Sequence, residues 1–328
     1  MNPNQPKVVV AGAGAWGKNH VRTFHELGAL AGVVELSPVL REKVKADFPG
    51  VPIWDDLASA LPSADGVVLA TPAPTHGPLA KQALAAGKGV LVEKPMTLEV
   101  AEAEGLVAAA KAAGKPLMVG HLLMYQPAIT ELKRVLDAGI LGKVHRIHQE
   151  RLNHGRVRST ENVMWSFSCH DLAVLLYLMG EAPERIQASG AAFLQADLHD
   201  DVHLELGFAS GRSAHVHAAW YWPGKQRGLR VFGETGMIVY DEGDQSLTLH
   251  RKHLKGGAGP ESLAPVDGGT ERIFEGSGEP LKLEAQHFLD VLAGRCAPLS
   301  DGPSGVEVIR ILETAHAHLM SNQPETTR

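Results

Sequence analysis

Cysteine is scarce in this 328-residue sequence, where Cys169 and Cys296 are the only two. Two cysteines exclude a disulfide framework, and they do not stand at metal-ligand spacing, so a reducing compartment fits best. Long apolar runs are missing as well. No stretch of about 20 apolar residues occurs, which excludes an ordinary membrane-spanning helix. Met1-Asn2-Pro3 leads into the first apolar run without the charged and apolar regions of a secretion signal, so a cytoplasmic location is expected. Runs of one charge sign are also absent, and the formal net charge is -6. Both facts argue against a surface that tracks nucleic-acid phosphates and against a polybasic membrane patch.

What is present is the composition of a globular enzyme-sized chain, with 44% hydrophobic and 21% charged residues. The length exceeds the usual size of one core, so two domains are expected, 1–122 and 123–328. Up to residue 120, short apolar runs (7–11, 31–35, 66–70, 89–92, 117–119) alternate with helix-like stretches. These suit strands buried on both faces of a parallel sheet. Ser37-Pro38 caps a helix over 39–48, and Thr97 is expected to cap an alanine-rich helix that stops at Gly114. Beyond 123 the pattern becomes α+β: a helix over 128–138, a strand over 144–152, and a helix from about 163 to 179. Strand candidates follow at 186–193, 202–208, 213–222, 228–233, 237–240 and 246–250, which implies a mostly antiparallel sheet. Residues 255–280 read as a long surface loop, and helices over 281–293 and 304–321 close the chain. The last helix could pack back on the first domain.

Gly12-Ala13-Gly14-Ala15-Trp16-Gly17 fits GxGxxG directly after the first strand and at the opening of a helix. There Gly12 permits the turn, Gly14 admits a pyrophosphate, Gly17 allows close packing, and the helix N-terminus offers free N–H groups. Glu35 ends the second strand about 20 residues on, where a carboxylate accepts from ribose hydroxyls. A 2′-phosphate would meet a like charge there, with Arg41 a turn farther on, so NAD is favoured over NADP. Glu93-Lys94-Pro95 and Thr71-Pro72-Ala73-Pro74-Thr75-His76 stand at the C-terminal ends of two other strands, the edge where open parallel sheets bind ligands. Thr71, Pro72, Thr75, His76 and Glu93 are therefore expected to line the cofactor pocket, with Lys94 facing the nicotinamide. His203, His215 and His217 share a strand-like face, but no carboxylate or cysteine joins them at ligand spacing, so no metal site is expected. His121 and Tyr125 could line a substrate pocket or pack beneath one.

The motifs GAGAWG, TPAPTH and VEKP, followed by a histidine opening a helix in the second domain, together resemble the Gfo/Idh/MocA oxidoreductase family. The resemblance covers nearly the whole chain. It implies a Rossmann doubly wound parallel sheet followed by an α+β domain with a large open sheet, and oxidation or reduction at a carbohydrate or cyclitol carbon. It also implies a homodimer or homotetramer through that sheet. Carried over by position, Lys94 is the lysine of the EKP motif and His170 the histidine of a motif that usually reads Asp-x-Gly-x-His. Here the motif reads Ser166-Phe167-Ser168-Cys169-His170, so the aspartate that would orient substrate is replaced by Ser166, with Asn162 one turn back. An imidazole suits proton abstraction from a hydroxyl, and a cationic lysine suits a developing alkoxide.

Arg156 and Arg158, with Arg151 before them, put cations near this segment, and arginine forks suit phosphate or carboxylate. The wording WGKNHVR and NVMWSFSCHDLAVLLYLMGE resembles the branch of the family that oxidises C3 of UDP-N-acetylglucosamine or its uronic acid. A sugar or nucleotide-sugar substrate is therefore expected, bound by Lys94, Tyr125, Arg156, Arg158, Asn162, Ser166 and His170. A free sugar or inositol dehydrogenase, and a catalytically silent dinucleotide-binding regulator, stand as alternatives.

Overall fold

The computed structural model describes residues 5–256 and 262–321. The chain divides into two compact units, Met1–Tyr125 with Glu279–Arg310, and Gln126–Gly278 with Ile311–Arg328.

The first unit alternates β1 (Val8–Ala11), α1 (Gly17–Glu26), β2 (Leu30–Val34), α2 (Pro38–Asp47), β3 (Ile53–Trp54), α3 (Leu57–Ala60), β4 (Gly66–Leu69), α4 (His76–Ala85), β5 (Gly89–Val92), α5 (Val100–Ala113) and β6 (Leu117–Val119). The six strands form one parallel sheet in the order β3-β2-β1-β4-β5-β6. Val8, Val9, Val10, Val67, Val68 and Val90 are completely buried, as expected where helices cover both faces. The strand order reverses beside β1, so the crevice outside the C-terminal ends of β1 and β4 is the place such sheets bind ligands.

The second unit contains α6 (Pro127–Asp137), β7 (Val144–His154), a π-helical turn (Met164–Ser168), α7 (Cys169–Met179), β8 (Pro183–Ala191), β9 (Asp201–Phe208), β10 (Ser213–Ala219), β11 (Tyr221–Gly233), β12 (Met237–Asp241), β13 (Ser246–Lys255) and β14 (Ala264–Glu275). Its eight strands run in the order β14-β13-β12-β11-β7-β10-β9-β8, and among the described residues only the β7–β10 pair is parallel. In β9, Val202, Leu204, Leu206 and Phe208 are buried and the alternate residues point away from that core. One face is therefore packed and the other polar, as alternation in an antiparallel sheet dictates.

The elements α8 (Pro280–Leu292) and α9 (Gly302–Ser321) end the described chain. Against the expected boundary at 122, the first unit runs to Tyr125 and takes in α8 as well as the start of α9. The cause is packing: a Cβ on Gly66 or Gly89 would come 2.6 or 2.4 Å from Leu292 side-chain atoms, so these glycines form the seat for α8.

Three expectations about single elements are corrected. The supposed loop over 255–280 contains β14, an exposed edge strand paired with β13; residues 257–261 lie outside the described residues. The strand expected over 213–222 ends at Ala219, and β11 runs from Tyr221 straight through Pro223-Gly224. The proline is tolerated because the β7–β11 register shifts between Tyr221 and Gln226 and β12 pairs only from Gly228 onward. Thr97 does not cap α5. Its hydroxyl donates to the Glu99 carbonyl at 2.9 Å, while Gly114 ends the helix in the left-handed conformation (φ +60°). Ser37, in contrast, accepts from Leu40 N as an N-cap should.

Candidate functional site

The glycine turn divides its labour by geometry. Gly12 has φ +92°, and a Cβ there would sit 2.6 Å from the Ala70 carbonyl oxygen. One on Gly17 would come within 2.0 Å of the Gly12 carbonyl oxygen, whereas one on Gly14 would meet nothing within 4 Å. Gly12 and Gly17 are thus required by the fold, whereas the space at Gly14 stands open. Ala15 and Trp16 are exposed beside it. Gly14→Ala is expected to keep the thermal midpoint while weakening dinucleotide binding by about tenfold or more; Gly17→Ala is expected to lower the midpoint. Unchanged dinucleotide affinity in the first variant would remove Gly14 from the binding role.

At the end of β2, Glu35 Oε2 accepts from Ala13 N at 2.7 Å and Oε1 accepts from Ser37 N at 2.9 Å. Each oxygen keeps a second acceptor site, so the carboxylate is oriented and still able to receive ribose hydroxyls. Arg41 curls back to donate to the carbonyls of Glu35 and Leu36 at 3.0 and 3.1 Å.

Glu93, buried at the end of β5, is a hub that the sequence disclosed only in part. Its Oε1 accepts from Trp16 Nε1 at 2.7 Å and lies 2.7 Å from His20 Nε2, and its Oε2 accepts from Lys94 N at 3.1 Å. Burial acts to raise its pKa, but His20, then Trp16 and Lys94, hold it below the ordinary carboxylate value. His20 was missed as a site residue; its position one helical turn after Trp16 in α1 was the available signal. Burial also pulls His121 down to about 4, so it is neutral at pH 7.

Glu284 of α8, also missed, is fully buried, and neither carboxyl oxygen has a hydrogen-bond partner among the described residues. Burial, reinforced by the charge of Glu93, pushes its pKa well above 4.5. Of these two buried carboxyls one keeps its charge and the other its proton. In the window between the ordinary carboxyl pKa and the raised native one, the folded chain holds a proton that the unfolded chain has lost. Stability therefore falls as pH rises through that window. Glu284→Gln is expected to flatten this slope, so its gain in thermal midpoint over the parent should grow from about pH 5 to about pH 8. Parallel pH profiles for the two proteins would refute the assignment.

The TPAPTH segment forms a compact turn. Thr75 Oγ1 lies 2.7 Å from both Thr71 Oγ1 and the Pro72 carbonyl. His76 is buried with its ring nitrogens 2.9 and 2.8 Å from the carbonyls of Pro95 and Thr71, so it ties this turn to the one after Lys94. Pro72 and Thr75 are exposed, Thr71 and Lys94 half-buried. Tyr125, expected at the substrate, is buried with its hydroxyl 2.9 Å from Ser300 Oγ, which donates in turn to the Val119 carbonyl. Its polar atom is spent inside the unit.

In the second unit, Asn162, Ser166 and His170 stand on one short segment. Asn162 is buried, and its Oδ1 accepts from Trp165 N at 3.2 Å, opening the π turn that leads into α7. Such widened turns re-aim the side chains beyond them and are frequent at functional sites. Ser166 is buried and His170 half-buried. The buried face of α7 is broad, taking in Leu172, Ala173, Val174, Leu175, Leu178 and Met179.

The expected group of cations also divides. Arg151 is buried and consumed by carboxylates: its Nε lies 2.9 and 2.8 Å from the two Asp171 oxygens, and its Nη2 2.7 Å from both Asp171 Oδ1 and Glu242 Oε2. Burial works against charge on both sides. It leaves Asp171 above its ordinary pKa, yet the two carboxylates hold the Arg151 guanidinium above its own. Arg156 and Arg158 remain exposed after β7, with Arg158 4.0 Å from Glu161.

The histidines of the open face require a further correction, because a carboxylate does join them. Asp201 Oδ1 lies 3.0 Å from His217 Nε2 and 3.3 Å from His203 Nε2. His215 faces His148 instead, with ring centroids 6.3 Å apart.

Comparison with known proteins follows this geometry along almost the whole chain. Residues 6–121 match the family described as an oxidoreductase family with an NAD-binding Rossmann fold, and residues 129–239 match the GFO/IDH/MocA C-terminal domain. UDP-N-acetylglucosamine 3-dehydrogenase of Acidithiobacillus ferrooxidans is 28% identical over 306 residues, covering 92% of this chain and 93% of that protein. Its crystal structure superposes with a TM-score of 0.85 at 25% identity, covering 96% of this chain and 98% of the other. Inositol 2-dehydrogenase of Rhodococcus jostii is 34% identical across 88% of this chain and 81% of its own length. An oxidoreductase structure from Magnetospirillum magnetotacticum has a TM-score of 0.81 at 33% identity, covering 94% and 99% of the two chains.

Proposed function

This chain belongs to the Gfo/Idh/MocA family of NAD-binding, sugar-type oxidoreductases, and on that premise we propose that it oxidises C3 of a UDP-N-acetylhexosamine or of the corresponding uronic acid. The observation that carries this reading is the end-to-end similarity to a UDP-N-acetylglucosamine 3-dehydrogenase in both sequence and fold. Two exposed arginines, Arg156 and Arg158, precede the segment that bears His170 and offer charge-assisted hydrogen bonds to a diphosphate.

The dinucleotide is held by the turn at Gly12, Gly14 and Gly17, by the free N–H groups opening α1, and by Glu35. The open space at Gly14 and the unspent acceptor capacity of Glu35 fit that group. When bound, the nicotinamide supplies the hydride acceptor. Lys94 donates to the reacting hydroxyl oxygen and stabilises negative charge on it. His170 takes the hydroxyl proton as the C–H bond breaks, leaving a ketone. Ser166 and Asn162 stand where the family's aspartate would orient the sugar. Glu35 favours NAD over NADP, since a 2′-phosphate would meet its carboxylate. The open sheet face serves self-association, as a dimer or tetramer measurable by light scattering.

The test is reduced-cofactor absorbance with UDP-N-acetylglucosamine, its uronic acid, free glucose and myo-inositol, each with NAD and with NADP. Turnover of a UDP-sugar with NAD, giving a ketone at C3 by NMR, is the expected result. Turnover of myo-inositol alone would overturn the substrate and favour the reading drawn from the inositol 2-dehydrogenases. No turnover of any substrate despite dinucleotide binding would favour a silent binding protein.

A further inference from the structure

Asp201 and His203 stand two residues apart on β9 and so project from the same face, and antiparallel pairing sets His217 of β10 directly opposite His203. The two imidazole rings stack with centroids 3.9 Å apart and planes inclined by 18°. Both Nε2 atoms turn toward one carboxylate oxygen, at 3.0 and 3.3 Å, and the ligand atoms of the three residues all lie within 4.8 Å of one another. We propose that Asp201, His203 and His217 form a binding site for a divalent transition ion of the zinc class, on the polar face of the second unit's sheet.

The distances suit that ion. A tetrahedral zinc with bonds of about 2.0–2.1 Å separates its ligand atoms by about 3.3 Å, close to the two Nε2-to-Oδ1 separations. The donor set is equally selective, since two imidazoles and one carboxylate suit zinc, nickel or cobalt far better than magnesium or calcium, which take oxygen. Electrostatics point the same way. Two imidazolium rings stacked this closely would repel, whereas a divalent ion leaves both rings neutral and balances the carboxylate.

Support is also present. In the single chain the side chain of His203 is 57% exposed, against 13% for His217, and the site lies on the sheet face assigned above to self-association, so the ion would be held at or beside that interface. The site borders a hollow of about 300 Å³ that His148, Glu205 and His215 help to line. Trp222 meets the His217 ring edge-on at 5.4 Å and limits its rotation. Three protein ligands leave a fourth position for water.

Titration of chelator-treated protein with Zn²⁺ by calorimetry is expected to show one equivalent bound per chain, with proton release. Co²⁺ in its place should give visible absorption bands typical of four or five ligands in the unaltered protein. His203→Gln and His217→Gln should each weaken binding by at least about 100-fold, more than loss of an outer-shell partner costs. Absence of a stoichiometric equivalent would mean that the three residues form a hydrogen-bonded cluster only. An equivalent retained in both variants would mean that the ion binds elsewhere. Either outcome overturns the proposal.

Discussion

Replacing Lys94 by alanine is expected to lower kcat/KM by about 10²–10³-fold, the usual cost of removing one donor to a developing oxyanion, while dinucleotide binding changes little. Replacing His170 by alanine is expected to cost about 10²–10⁴-fold, the range for a general base. The two losses should differ in character. Added imidazole should restore part of the activity of the His170 variant and none of that of the Lys94 variant, since a free base can replace a proton acceptor but not a fixed cation. Stopped-flow measurement of hydride transfer, with dinucleotide affinity measured separately by fluorescence, decides the matter. Wild-type rates in either variant would remove that residue from the chemistry. A loss confined to dinucleotide affinity would make Lys94 a cofactor ligand only.

The second large effect concerns folding. Arg151→Met is expected to destabilise the second unit by about 3–5 kcal/mol, because it leaves two buried carboxylates without their shared counter-ion. The side chains of Asp171 and Glu242 are 0% and 12% exposed, so water cannot take the place of the guanidinium. Gln149 Nε2 donates to Asp171 Oδ1 at 2.6 Å and Arg227 lies 3.5 Å from Glu242, and these contacts offset only part of the loss. Arg151→Lys should recover little, since an ammonium cannot make the forked contact to Asp171 while reaching Glu242. Adding Asp171→Asn to Arg151→Met should recover part, because it removes one of the stranded charges. Chemical denaturation checks both; a cost below about 1 kcal/mol for Arg151→Met would mean that the cluster behaves like a surface ion pair. Asp171 follows His170 directly, so the arginine also fixes the start of α7 on β7.

The parallel sheet was legible because its strands are buried on both faces and so appear as unbroken apolar runs between helices. Strand β3 escaped notice because two residues carry no periodicity. Strand β14 was hidden for a different reason. Apart from Val266, Ile273 and Phe274 it is exposed, and its glycines and charges look like a loop. Cross-strand pairs such as Arg251 with Glu271 and Lys252 with Asp267 accompany the ladder to β13, and such pairing leaves no mark on a single sequence. At the candidate site the glycine turn, Glu35 and the ends of β4 and β5 stood in view because each occupies a fixed offset from a strand. His20 and Glu284 did not, since their meaning comes from Glu93, 73 and 191 residues distant in sequence. Arg151 was misjudged for the same reason: its partner Asp171 is 20 residues on and Glu242 is 91.

The seat formed by Gly66 and Gly89 bears on how the protein is made. Strands β4 and β5 leave the ribosome early, yet Leu292, which fills the space above both glycines, is synthesised some two hundred residues later. At about 5–20 residues per second, the two strands wait roughly ten to forty seconds for α8. During that interval an apolar surface destined for the interior faces water or a chaperone, while residues 126–278, the larger part of the second unit, are made. A gene shortened before α8 would make that exposure permanent.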